Sequence, residues 1–97
     1  MKKATEEQIT KWKYQHGDVH EVVIDDCICY LKKPDRKTLS LATTLGQHDP
    51  MKFNEVILEN CWIDGDDKIK TDNEYFFAAV EKLTELIQVK EATLKKL

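Results

Sequence analysis

The sequence predicts an α+β fold, with an N-terminal helix, a β-hairpin and then three helices in one small domain over residues 1–97. Between Val19 and Leu31, β-branched and aromatic residues surround Asp25 and Asp26, a pattern typical of two strands joined by a tight turn. Before and after this segment, short polar side chains that can cap a helix precede apolar residues at helical spacing. This pattern predicts helices on both sides of the hairpin. The chain length suits about one domain.

The first predicted helix begins at a capping box. The Thr5 hydroxyl can accept one of the unpaired N–H groups of the first turn, and Gln8 can accept the backbone N–H of the cap residue. Ile9 and Trp12 supply apolar contacts, and Gly17 ends the helix. A helix this short must pack against another element.

The predicted hairpin is apolar on both faces. With the turn at residues 25–26, the cross-strand neighbours are Val22 with Cys29, Val23 with Ile28, and Ile24 with Cys27. A lone two-stranded hairpin is marginally stable in water. We therefore expect helices to cover it, another strand to extend it, or a partner to bind it.

Two helices follow the hairpin. Asp35 can cap a helix that ends at Gly46, and Asp49 can cap a third helix. That helix leads into a short apolar stretch over residues 61–63, and residues 64–67 are predicted to form a turn or an exposed loop.

The last helix is predicted to begin with a capping box from Thr71 to Glu74. Its apolar residues at helical spacing are Phe76, Val80, Leu83 and Ile87. If it were helical to Leu97 it would be about 36 Å long. Because a domain of this size cannot cover that length, the last turns should either fray or pack against a partner.

Charge and hydropathy exclude several classes of protein. Fifteen basic and eighteen acidic residues give a net charge of −3, and Arg36 is the only arginine, so a general nucleic-acid binder is not expected. Neither a signal peptide nor a membrane span is present in the pattern. Three cysteines cannot pair fully, which favours a reducing compartment and hence the cytoplasm.

No catalytic, cofactor or metal site is predicted. Cys27 and Cys29 are one residue apart in a strand and Cys61 is distant, whereas zinc sites usually pair cysteines two residues apart, so we interpret all three as core residues. The acidic stretch from Asp64 fails the calcium-loop pattern, because its twelfth position is Tyr75 rather than glutamate.

Two features predict protein binding: the hairpin, and the three successive aromatic residues that begin the last helix, which cannot all face one core stripe. The predicted contact residues are Val22, Ile24, Ile28, Tyr30, Tyr75, Phe77, Leu86 and Leu94. The predicted core aromatics are Trp12, Phe53, Trp62 and Phe76.

Three stretches of the chain form a recognisable pattern. Residues 9–13 precede the hairpin, a strand runs into a basic-Pro-Asp helix start at residues 30–35, and residues 57–66 contain an asparagine-cysteine pair, apolar residues and a glycine-acid turn. In these stretches the chain resembles the tail assembly chaperones of long-tailed bacteriophages and related prophages. The resemblance implies a non-catalytic protein of the bacterial host cytoplasm. Its partners would be the tape measure protein, which such chaperones coat, and the tail-tube protein, with a homo-oligomer as a further possibility.

Two rival hypotheses remain open. A small DNA-associated or regulatory module of a mobile element would explain several short helices, although Glu55 and Glu59 do not suit a recognition helix. A small enzyme would use Cys27 or Cys61 as its nucleophile.

Overall fold

The computed structural model describes residues 2–87 and 90–97. Within these residues, the elements in chain order are α1 (Glu6–His16), β1 (Val19–Ile24), β2 (Cys27–Lys32), α2 (Arg36–Leu45), α3 (Pro50–Cys61), β3 (Trp62–Gly65), α4 (Lys68–Thr71) and α5 (Asn73–Leu83), followed by a turn of 3₁₀ helix (Thr84–Leu86). The predicted α+β class, with its N-terminal helix, hairpin and later helices, is confirmed.

The hairpin has the predicted register. Val22 lies opposite Cys29, and Ile24 lies opposite Cys27. Asp25 occupies the turn with a φ of 51°, a left-handed conformation that aspartate tolerates better than most residues.

A third strand was not predicted. The strand β3 pairs antiparallel with β2, so the described strands form a sheet in the order β1-β2-β3, with a register shift between Tyr30 and Leu31. The prediction of a turn or loop over residues 64–67 is therefore wrong for Asp64 and Gly65, which belong to this strand. After the strand ends, the Asp66 carboxylate accepts the Ile28 backbone N–H at 2.8 Å and so extends the pairing.

The start of the last helix also differs from the prediction. Thr71 ends the short helix α4 and does not form a capping box with Glu74. Asp72 is the cap of α5, because its carboxylate accepts the backbone N–H groups of Glu74 and Tyr75 at 3.0 and 3.5 Å. A carboxylate at this position also favours the positive end of the helix dipole.

The last helix is shorter than the longest form considered from the sequence. It ends at Leu83, a 3₁₀ turn runs to Leu86, and residues 90–97 have no regular secondary structure. The predicted course of the helix through residues 88 and 89 lies outside the described residues.

One face of the sheet and the later helices enclose the main core. Its buried members are Cys27, Cys29, Leu31, Ala42, Ile57, Leu58, Cys61, Ile69, Phe76, Ala79, Leu83 and Leu86. The three cysteines are buried free thiols, which confirms their interpretation as core residues. Of the predicted core aromatics, Phe76 is buried, Phe53 and Trp62 pack half-buried against the core, and Trp12 lies half-buried on the other face of the sheet.

Candidate functional site

Three of the predicted contact residues are interior residues. Ile28, Tyr30 and Leu86 are all at most 4% exposed, so the structure corrects their assignment to a contact surface. On the second face of the hairpin, the Trp12 ring packs on Tyr30 with ring centroids 5.2 Å apart, whereas Val23 on the same face is 54% exposed. The Tyr30 hydroxyl also accepts the backbone N–H of Ala4 at 2.9 Å. The N-terminal segment and α1 therefore cover the part of this face around Tyr30.

Three more of the predicted contact residues are half-buried and make contacts within the fold. Val22 and Ile24 are half-buried and pack against the core. Tyr75 is half-buried, its hydroxyl donates to the Asp26 carboxylate at 3.3 Å, and the Lys68 ammonium lies 4.5 Å from its ring centroid. This cluster ties the start of α5 to the hairpin turn.

The remaining two are exposed, as contact residues must be. Phe77 is 51% exposed on α5, and Leu94 is 99% exposed in the irregular segment 90–97. Adjacent helical residues point about 100° apart, so Phe77 faces outward because its neighbour Phe76 enters the core. The two rings meet edge to face with centroids 6.0 Å apart.

Phe77 lies at the mouth of a groove between α3 and α5 with a volume of about 380 Å³. Met51, 38% exposed, is the other large apolar residue at the mouth, and the buried residues Leu58 and Phe76 also line the groove. We call this feature the α3–α5 groove. The sequence pattern indicates Phe77 as a contact residue, but it indicates neither Met51 nor the groove itself.

Local capping sets the positions of both helices that form the groove. Asp49 accepts the backbone N–H of Met51 at 3.2 Å, and Pro50 occupies the first turn of α3, where no N–H is needed. Asp72 starts α5 in the same way. Met51 and Asn73 therefore lie in the first turns of α3 and α5, beside the groove.

Two ion pairs line the polar side of the groove. Glu55 and Glu59 lie one turn apart on α3. Lys70 lies opposite, 3.6 Å from the Glu59 carboxylate, with its ammonium 4.3 Å from the Trp62 ring centroid. The Lys52 ammonium lies 3.1 Å from the Glu55 carboxylate, so both carboxylates beside the groove already have a lysine partner.

The buried thiols are poorly suited to nucleophilic chemistry. Burial raises the pKa of Cys29 to about 12 and that of Cys61 to about 11, and it also raises the pKa of Cys27. Since the thiolate is the nucleophile, these groups stay protonated and unreactive near neutral pH. Among residues 2–87 and 90–97, no three His, Cys, Asp or Glu side chains are grouped so that they could hold a metal ion.

In the described part of the chain, no helix has the length and apolar character needed to cross a bilayer. Comparison of the chain with models of known families, with curated proteins and with solved structures gives no significant match.

Proposed function

We propose that this chain is a non-catalytic binding protein of the phage tail assembly chaperone kind, which binds the tape measure protein through the α3–α5 groove. The observation that carries the proposal is the half-exposed Phe77 beside Met51, above a floor that contains Leu58 and Phe76. An apolar groove between two helices is suited to receive the apolar face of an amphipathic helix. Tail assembly and recruitment of the tail-tube protein belong to the same proposal.

The chemistry of the groove specifies what kind of helix binds there. A large aromatic side chain at the mouth can bury much of its surface against a partner, and such residues commonly contribute most of the binding energy at an interface. Glu55 and Glu59, paired with Lys52 and Lys70, form a polar rim beside the apolar lining, as is usual at protein interfaces.

Co-expression with the tape measure protein encoded nearby tests the proposal. The wild-type chain should raise the soluble yield of this partner and purify with it. Phe77→Glu should abolish both effects, because it places a charge where an apolar contact is needed. Leu41→Glu is the matched control, since Leu41 is a 48% exposed leucine on α2 outside the groove. Circular dichroism of both variants checks that they fold.

Two results would contradict the proposal. Equal co-purification by wild type and Phe77→Glu would remove the groove from the interaction. An unchanged solubility of the tape measure protein would remove the chaperone function. A gel shift with duplex DNA that weakens as salt increases would instead favour the DNA-associated alternative.

A further inference from the structure

The helix α1 is attached to the rest of the fold by few contacts. None of its residues is buried, and only Ile9 and Trp12 are half-buried. Among the described residues, its side chains form no ion pair and no hydrogen bond with another element. A gap of about 230 Å³ lies between the end of α1 and the start of α2. Because a helix of 11 residues is marginally stable alone in water, the folding of α1 is linked to its docking.

The docking of α1 is centred on Tyr30. The Trp12 ring lies at 46° to the Tyr30 ring with centroids 5.2 Å apart, and the Tyr30 hydroxyl accepts the Ala4 backbone N–H at 2.9 Å. Ahead of the helix, the Lys2 backbone N–H donates to the Asp66 carboxylate at 3.2 Å. Tyr30 is buried, yet it does not belong to the main core. The segment before α1 and α1 itself are therefore held on one face of the sheet, and no residue of either belongs to the main core.

Gly17 can act as the hinge of this part of the chain. It ends α1 with a φ of 80°, and a Cβ added there would meet nothing within 4 Å, so its surroundings are open. Glycine adopts positive and negative φ at little cost. The carboxylate of the next residue, Asp18, lies 2.9 Å from the Lys33 ammonium just beyond β2. A change in the backbone angles of Gly17 would thus move α1 and leave the sheet in place.

We propose that residues 2–17, which we call the lid, undock from the sheet as one unit at Gly17, and that the face around Tyr30 then accepts the lid of a second copy. Segments with few buried side chains open at free energies well below that of global unfolding. The closed position of the lid shows which contacts this face makes, and the lid of a second copy can repeat them. An exchange of identical elements of this kind joins two copies. Neither the α3–α5 groove nor the tape measure protein takes part in it.

Native-state hydrogen exchange tests the undocking. At low urea concentrations, the hydrogen-bonded amides of Ile9 and Gly17 should exchange together and with little dependence on urea. The slowest amides of β2 should exchange more slowly and speed up steeply as urea increases, because their exchange needs global unfolding. Tyr30→Phe removes the acceptor of the Ala4 N–H and should speed exchange of the α1 amides about two- to tenfold, the effect of one hydrogen bond.

Tyr75→Phe is the matched control. It removes the hydroxyl that donates to the Asp26 carboxylate at 3.3 Å, a hydrogen bond between α5 and the hairpin turn. Undocking of the lid leaves this bond intact. Tyr75→Phe should therefore leave the α1 amides at their wild-type exchange rates.

A fluorescent peptide of residues 2–17, added to the full chain, tests exchange between copies. Trp12→Ala in the chain weakens its own lid, so by fluorescence anisotropy this variant should bind the peptide about tenfold more tightly than the wild type, whose closed lid competes. Trp12 lies outside the main core, so the variant should keep the fold, which circular dichroism verifies. A peptide that itself carries Trp12→Ala should bind more weakly to both chains.

Three results would overturn the proposal. The first is exchange of the α1 amides at the rate and with the urea dependence of the β2 amides, since the lid would then open only with the whole fold. The second is an equal effect of Tyr30→Phe and Tyr75→Phe on the α1 amides. The third is a peptide that binds the wild type and the Trp12→Ala chain equally, or binds neither.

Discussion

Replacement of Gly65 by alanine should destabilise the protein more than any other single methyl group added at a glycine. Gly65 lies opposite Cys29 in the sheet with a φ of 153°, which L side chains rarely adopt. An added Cβ would lie 2.6 Å from the Cα and Cβ of Cys29 and from the Ile28 carbonyl oxygen. Backbone strain costs about 1–3 kcal/mol, and overpacking adds about 1–3 kcal/mol. The expected loss, about 2–6 kcal/mol, is a large part of the 5–15 kcal/mol typical of a folded domain.

Urea unfolding followed by the fluorescence of Trp12 and Trp62 measures this loss. Gly17→Ala is the matched control for strain, because Gly17 also has a positive φ of 80° but an added Cβ there meets nothing within 4 Å. Gly46→Ala is the control for contact, because its φ is −84° while an added Cβ lies 2.9 Å from that of Phe53. Gly65→Ala should exceed both. A loss no larger than that of Gly17→Ala would refute the reasoning about β3.

Three further predictions concern the hydrogen bonds of Tyr30 and Asp66 and the reactivity of the buried thiols. Tyr30→Phe removes the acceptor of the Ala4 N–H and should cost about 0.5–1.5 kcal/mol of unfolding free energy in the same assay. Hydrogen bonds from two backbone N–H groups hold the pKa of Asp66 below its usual value, so its contribution to stability is present above about pH 4 and is lost as the pH falls through the lowered pKa. Asp66→Asn should therefore flatten the decline of urea stability with acid, and an unchanged acid limb would contradict this. With a thiol reagent at pH 8, Cys29 and Cys61 should react far more slowly in the native protein than in urea, and rapid native labelling would show that the core opens readily.

The sequence predicts those parts of the fold whose signals are local. The hairpin register follows from alternation around Asp25 and Asp26, and the caps at Thr5, Asp35 and Asp49 each depend on residues only two or three positions away. The strand β3 is not predicted from the sequence, because four residues are too few to show a clear alternation of apolar and polar side chains. Its pairing with β2 also joins positions more than thirty residues apart in the chain.

In the candidate site too, features set by local sequence are predicted and features set by tertiary packing are not. Exposure of Phe77 follows from three successive aromatics on one helix, which is a local property. Burial of Tyr30 depends on where α1 packs, and the groove depends on α3 and α5 lying side by side. Neither arrangement is encoded in the spacing of any one segment, so both required the three-dimensional structure.

The central claim is that the α3–α5 groove binds an amphipathic helix, and amide chemical shifts measure this most directly. The ¹⁵N-labelled chain is titrated with a synthetic amphipathic helix taken from the tape measure protein. We predict saturable shifts at residues 51–59 and 70–77, with affinity lowered at least tenfold by Phe77→Glu and unchanged by Leu41→Glu. Shifts confined to other surfaces, or equal affinity for wild type and Phe77→Glu, would contradict the account.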